Sequence, residues 1–228
     1  MLKRIKKLPY FFIPLSVFLL VSTFLMLILS KTESFVLLNN YHPRFLDIIF
    51  RAITILGDGL ITLLAIAALI FAKKKKKAIT LILAYTYSGI LCQVLKQFFH
   101  LPRPKYFFEQ MSFKYDHFVD DVNLYNHNAF PSGHTATIFA LATVLVLVFK
   151  KNKISIPCVI LALLVGYSRI YLAQHFLQDV VAGALLGIGC ALLSYRQVYV
   201  QKMFRSAKVS KRYKRFMKLK AKNAVSLG

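Results

Sequence analysis

Six long apolar runs, separated by short polar segments, dominate the chain. They cover about residues 11–30, 57–74, 78–97, 133–149, 154–172 and 178–196. Apolar runs of near-spanning length predict membrane-crossing helices. Residues 43–56 follow a different pattern. Pro43 opens the segment, where a first helical turn accepts proline. Phe45, Ile48, Ile49, Ala52, Ile53 and Leu56 then fall on one helical stripe, with Arg44, Asp47 and Arg51 on the other side. That spacing predicts an interfacial amphipathic helix just before the second span. The expected fold class is an all-α polytopic membrane protein: six transmembrane helices and one interfacial helix. One membrane domain is expected over residues 1–200, with residues 201–228 as a basic cytoplasmic tail.

Composition agrees with the pattern. The 228 residues are 57% apolar, and the mean hydropathy is +0.58. The formal charge of +23 resembles that of a nucleic-acid-binding protein, but its placement points elsewhere. Lys and Arg number 4 in residues 1–10, 5 in residues 73–77, 3 in residues 150–153 and 11 in residues 196–228. These segments alternate along the six-span order and so share one side. The opposite loops hold only Lys31, Arg44, Arg103, Lys105 and Lys114. Basic loops face the cytoplasm, which places both termini inside. The partners expected at this basic face are anionic lipids, with no nucleic acid. All eight acidic residues fall in outer loops or near outer span ends. Cys92, Cys158 and Cys190 each lie within an apolar run without CxxC spacing, so they read as small core residues rather than disulfides or metal ligands. No small-residue cleavage site follows the first run, so it reads as an uncleaved span. The Lys-rich composition, without a long glycosylated luminal loop, fits a bacterial inner membrane.

Three polar clusters interrupt the apolar background. They are Lys96-x6-Arg103-Pro104, Pro131-Ser132-Gly133-His134, and Ser168-Arg169-x5-His175-x3-Asp179. Each cluster sits at the end of a span, and the topology from loop charge brings all of them to the outer face. Ionisable groups at membrane depth are costly and usually functional. Lys96, Arg103 and Arg169 are suited to surround a phosphate, and the two arginines offer planar forks to its oxygens. Ser132 and Gly133 open a helix whose free N–H groups point at an anion. His175 and Asp179 are one helical turn apart, so a carboxylate bonded to one ring nitrogen would leave the other free to attack. With His134 on a separate span, one histidine can act as nucleophile and the other as general acid.

These spacings resemble the three-part signature of the type 2 phosphatidic acid phosphatase superfamily: KxxxxxxRP, PSGH and SRxxxxxHxxxD. All three match without departure between residues 96 and 179. The resemblance implies a metal-independent phosphatase, without cofactor, that works through a phosphohistidine. It implies His175 as nucleophile, Asp179 as its orienting partner, and His134 as the acid that later activates water. Lys96, Arg103, Ser132, Gly133 and Arg169 would hold the phosphoryl oxygens. Ser168 belongs to the signature without an assigned role. Asp58, outside the signature in a Gly57-Asp58-Gly59 turn, reads either as a buttress for the site or as a cap for the second span, with the cap favoured.

The expected substrate is a phosphorylated membrane lipid: undecaprenyl pyrophosphate, phosphatidylglycerophosphate, phosphatidic acid or lipid A. A phosphotransferase passing the phosphoryl group to an acceptor lipid would need the same residues. A non-catalytic lipid-binding or transport protein would not need His134, His175 and Asp179 together. The loop over residues 101–130 carries Tyr106, Phe107, Phe108, Phe113, Tyr115, Phe118 and Tyr125, an aromatic composition that suits a lid resting in the interface.

Overall fold

The computed structural model describes residues 7–120 and 122–201. Beyond Gln201, the basic tail expected over 201–228 lies outside the described residues. Nine α-helices and a terminal π-helical turn account for the regular structure, with no strand among the described residues. The helices are α1 (Pro9–Ile28), α2 (Lys31–Asn39), α3 (Arg44–Ile55), α4 (Gly59–Phe71), α5 (Lys75–Phe99), α6 (Pro104–Gln110), α7 (Gly133–Phe149), α8 (Asn152–Tyr171) and α9 (Leu177–Tyr195). The π-helical turn, Arg196–Val200, extends α9.

Four stretches are long and apolar enough to cross a membrane: α1, α5 with α6, α8, and α9 with its π-helical extension. Counting α3 and α4 as one span bent by 49° gives five. At 17 residues, α7 is the shorter apolar helix. The expected second span, residues 57–74, is therefore only 13 residues of helix, continued at an angle by α3. On α3, Phe45, Ile48 and Ile49 face outward, while Asp47 turns inward to accept a hydrogen bond from Tyr171 Oη at 2.6 Å.

The bundle is organised around α7. Phe139, Val144, Val146 and Leu147 are all buried, as expected of a helix that is apolar all round. It packs against α5, α8 and α9. Gly183 and Gly187 on α9 make the closest of these approaches possible. A Cβ on Gly183 would stand 2.6 Å from the Ser132 carbonyl oxygen, and one on Gly187 would strike the Ala136 carbonyl oxygen. Paired small residues four apart let two apolar helices bring their backbones together. In contrast, α1 turns Ile13, Val17, Leu20, Phe24 and Leu27 outward.

Two short helices absent from the expected span pattern brace the site end. Ser30 begins α2 with a capping box: Ser30 Oγ accepts from Glu33 N–H, and Glu33 Oε2 accepts from Ser30 N–H. At the far end of α2, buried Asn39 donates to the Ile170 and Tyr171 carbonyls at 2.7 and 2.8 Å. These are terminal carbonyls of α8, which need partners from outside the helix. Tyr115 Oη closes the network on Asn39 Oδ1 at 2.6 Å. Burial pushes the Tyr115 phenol up to about 12, so it remains a donor.

The opposite end of the bundle is cationic. Lys74 and Lys77 reach over the Phe149 ring, with their Nζ atoms 5.3 and 3.6 Å from its centroid. Residues 73–77 and the α7–α8 turn therefore share an end, as the loop-charge count predicts. Cys92 and Cys190 are buried, and the three cysteines are unpaired.

Candidate active site

The first cluster is set by the end of α5. His100 takes a left-handed conformation (φ 47°), and its N–H bonds to the Lys96 carbonyl. Pro102 and Pro104 prevent the helix from resuming before α6. Arg103 is thereby turned back into the protein. Its Nε donates to the His127 carbonyl at 3.0 Å, and its Nη1 donates to Gln174 Oε1 at 2.6 Å. The second cluster opens α7. Ser132 N–H donates to the Asp179 carbonyl at 3.0 Å, which ties the start of α7 to the start of α9.

The third cluster is a tight turn between α8 and α9. Ala173 is left-handed (φ 50°), and the N–H groups of Gln174 and His175 both fold back onto the Arg169 carbonyl. The five-residue gap between Arg169 and His175 is the length of this turn. The eight expected site residues converge at one end of the bundle. Lys96, Arg103, Arg169 and His134 are all close enough to act on the charge of His175. A Cβ on Gly133 would lie 4.0 Å from Lys96 Nζ. His175 is 1% exposed. Burial and the neighbouring cations hold its pKa well below 6.5, so the imidazole is neutral at neutral pH.

Access comes from the His134 side. One cleft of about 390 Å³ is lined by residues including Asp58, Asn123, Tyr125, His134, Arg169 and Gln174. A second, of about 420 Å³, runs between α4 and α5 past Tyr85, Gly89 and Lys96. Asp58 and His134 line both clefts.

Several placements differ from expectation. The Asp179 carboxylate does not hydrogen-bond His175: Oδ2 is 3.6 Å from His175 Nδ1 and instead accepts the Phe176 N–H at 2.9 Å. Ser168 Oγ donates to the Val165 carbonyl within its own helix, so this signature residue serves α8. Asp58 precedes α4 but makes no side-chain cap bond; its carboxylate lies 2.6 Å from His134 Nε2. A charge-assisted contact of this length outweighs a bond to a backbone N–H. The aromatic loop is largely anchored. Phe108 and Tyr115 are buried against Phe35 and Phe176, and only the stretch around Asn123 and Tyr125 borders the cleft. Tyr125 lies against the Arg103 guanidinium, 5.1 Å from ring centroid to Cζ.

Thr54 and Gln174 also shape the site. Arg169 Nη1 donates to Thr54 Oγ1 at 2.5 Å. Gln174 accepts from Arg103 and donates to the Asn123 carbonyl at 2.9 Å, linking that arginine to the loop above it. Replacing Gln174 with leucine leaves Arg103 Nη1 only a long contact, 3.5 Å, to the backbone carbonyl at that position. Inhibition by orthophosphate is expected to weaken about tenfold in a dose–response measurement, the usual scale for a lost hydrogen bond to a charged group.

The sequence profile of the PAP2 superfamily matches residues 77–203, more than half of the chain. The chain belongs to the PAP2 superfamily. Among PAP2 proteins of known structure, the crystal structure of Aquifex aeolicus LpxE is 37% identical and superposes with a TM-score of 0.61, covering 72% of this chain and 94% of that one. A lipid A 4'-phosphatase of Bacteroides thetaiotaomicron is 45% identical over 58 residues, 25% of this chain and 26% of the relative. An undecaprenyl-diphosphatase of Sulfolobus acidocaldarius is 32% identical over 132 residues, 55% of this chain and 57% of the relative. The chain thus matches less than two thirds of the length of these two curated relatives. PAP2 membership and the apolar helices together identify an integral membrane protein.

Proposed function

We propose that this protein is a membrane lipid phosphatase acting at the face opposite its basic loops. The observation that carries this reading is the gathering of Lys96, Arg103 and Arg169 around a buried, neutral His175, with His134 at the mouth of the clefts. The cations hold the phosphoryl oxygens, helped by the N–H groups at the start of α7. Because His175 Nδ1 faces Asp179, Nε2 is the attacking atom. Its lone pair forms the P–N bond while the P–O bond to the lipid breaks, and the departing oxygen takes a proton from His134. Water then attacks phosphorus and gives its proton to His134. The P–N bond breaks, its electron pair returns to His175, and inorganic phosphate leaves. As positive charge grows on His175, the nearby Asp179 carboxylate stabilises it.

Substrates with a phosphate monoester or pyrophosphate fit this site: lipid A, undecaprenyl pyrophosphate, phosphatidylglycerophosphate or phosphatidic acid. Support for a lipid comes from the cleft between α4 and α5, beside outward-facing Leu63, Ile90 and Val94. The six-span topology, with both termini cytoplasmic and the site periplasmic in a bacterial inner membrane, is supported by the lysines at the far end of the bundle.

Phosphate release from a panel of purified, radiolabelled lipids tests the proposal. Label should appear as inorganic phosphate for at least one lipid. Label appearing only on an acceptor lipid would assign a phosphotransferase instead. The low pKa of His175 adds a pH prediction. A histidine whose pKa is depressed stays neutral as pH falls through 6.5, so the acid limb of kcat/KM attributable to the nucleophile should lie below pH 6.5.

A further inference from the structure

The contact between Asp58 and His134 is the closest ion pair among the described residues that involves a proposed reacting group. It lies outside the three-cluster signature. The backbone around it is shaped for close approach. A Cβ on Gly57 would come within 2.9 Å of His134 Cβ and 2.7 Å of Val165 Cγ1, so the turn rests directly against the histidine. A Cβ on Gly59 would strike the Tyr85 hydroxyl. Any larger residue on either side of Asp58 therefore lifts the turn away. The bend between α3 and α4 thus delivers Asp58 to His134, while Thr54, one turn earlier, holds Arg169.

The charges around His134 explain why a carboxylate is needed there. Lys96 reaches it from α5, Arg169 from α8, and His175 from the α8–α9 turn. Arg51, Tyr85 and Tyr125 border the same clefts. Lys96 and Arg169 place two positive charges beside His134, yet a general acid must carry a proton. Asp58 is the carboxylate that opposes them. Its side chain is 49% exposed and reaches the cleft solvent.

We propose that Asp58 is a positioning residue for the acid–base step: it orients His134 through Nε2 and stabilises the imidazolium that protonates the departing oxygen. This role rests on the phosphatase reading given above. When the lipid oxygen takes the proton, the Asp58–His134 pair loses its attraction. It regains that attraction when His134 takes a proton from the attacking water, so one carboxylate serves both half-reactions.

The test compares wild type, Asp58→Asn and Asp58→Glu as full-length protein in detergent micelles with a hydrolysable lipid from the panel. Asparagine preserves size and helix-capping ability but removes the charge. The alkaline limb of kcat/KM, which reports loss of the His134 proton, should move down by about one pH unit in Asp58→Asn. Asp58→Glu should return it toward wild type, even with lower kcat. Histidine NMR, with His134 assigned by a His134→Gln variant, should give a lower titration midpoint for His134 in Asp58→Asn. A profile lowered uniformly at every pH, with an unmoved midpoint, overturns the proposal and leaves Asp58 a purely structural residue. Wild type that releases no phosphate from any lipid, with a midpoint that still moves, overturns the phosphatase reading while the Asp58–His134 coupling stands.

Discussion

Replacing His175 with alanine is expected to lower lipid phosphate release by at least about 10⁴-fold, the scale seen when a nucleophile is deleted from a site that keeps its other binding groups. Lys96, Arg103 and Arg169 remain in the variant, so lipid binding should survive while chemistry does not. Fold is expected to survive as well. His175 Nδ1 makes no hydrogen bond, and the turn is held instead by backbone bonds to the Arg169 carbonyl. Three measurements separate the outcomes: phosphate release, the unfolding temperature in detergent, and covalent label retained after alkaline quenching of a reaction with radiolabelled lipid. Wild type should retain label on histidine and His175→Ala none. A folded variant with near-normal turnover would falsify the nucleophile assignment.

The second large effect is on stability. Gly187→Ala should lower the unfolding temperature by several degrees, corresponding to roughly 1–3 kcal/mol of overpacking. The new methyl group collides with backbone of α7, meeting the Ala136 carbonyl and, at 2.9 Å, the Ala140 nitrogen. Backbone cannot swing aside as a side chain can. Gly189→Ala, two residues along the same helix, is the matched control because a Cβ there meets nothing within 4 Å. Alanine favours helix over glycine by about 1 kcal/mol, so Gly189→Ala should be neutral or slightly stabilising. The opposite signs of these two substitutions isolate packing between α7 and α9 from helix propensity. Two equal shifts would mean that the close approach of these helices contributes little to stability.

The sequence was informative wherever a signal is local or periodic. The last three long apolar helices were legible within two residues because apolar runs and their flanking charges mark helix ends directly. The eight residues that meet at one end of the bundle were legible as a group from fixed spacings within short segments. Contacts between distant segments carry no such spacing. Thr54 meets Arg169 across 115 residues, and Gln174 meets Arg103 across 71. Asp58 was legible as a residue before a helix, but its true partner lies 76 positions away, and only the fold makes the imidazole nearer than a free N–H. Two missed features did have local signals. Ser30-x-x-Glu33 is a capping box that announces α2, and Gly183-x-x-x-Gly187 is the small-residue spacing that announces a tight helix pair. Neither shows in a reading built on apolar runs and loop charge alone.

The length of α7 has a consequence for where the reaction takes place. Seventeen residues of helix rise about 25 Å, whereas a bilayer hydrocarbon core is about 30 Å thick. With Lys150 held at the cationic boundary, Ser132 and Gly133 stop roughly 5 Å short of the other one. On the proposed phosphatase reading, a headgroup phosphate sinks below its resting plane to meet them. On the same reading, lowering an anion in this way depends on buried Arg103 and Arg169 and half-buried Lys96, and removing its charge reverses the preference. Hydrolysis would then release the lipid upward to its normal depth, so the shortness of one central helix favours departure of the dephosphorylated product.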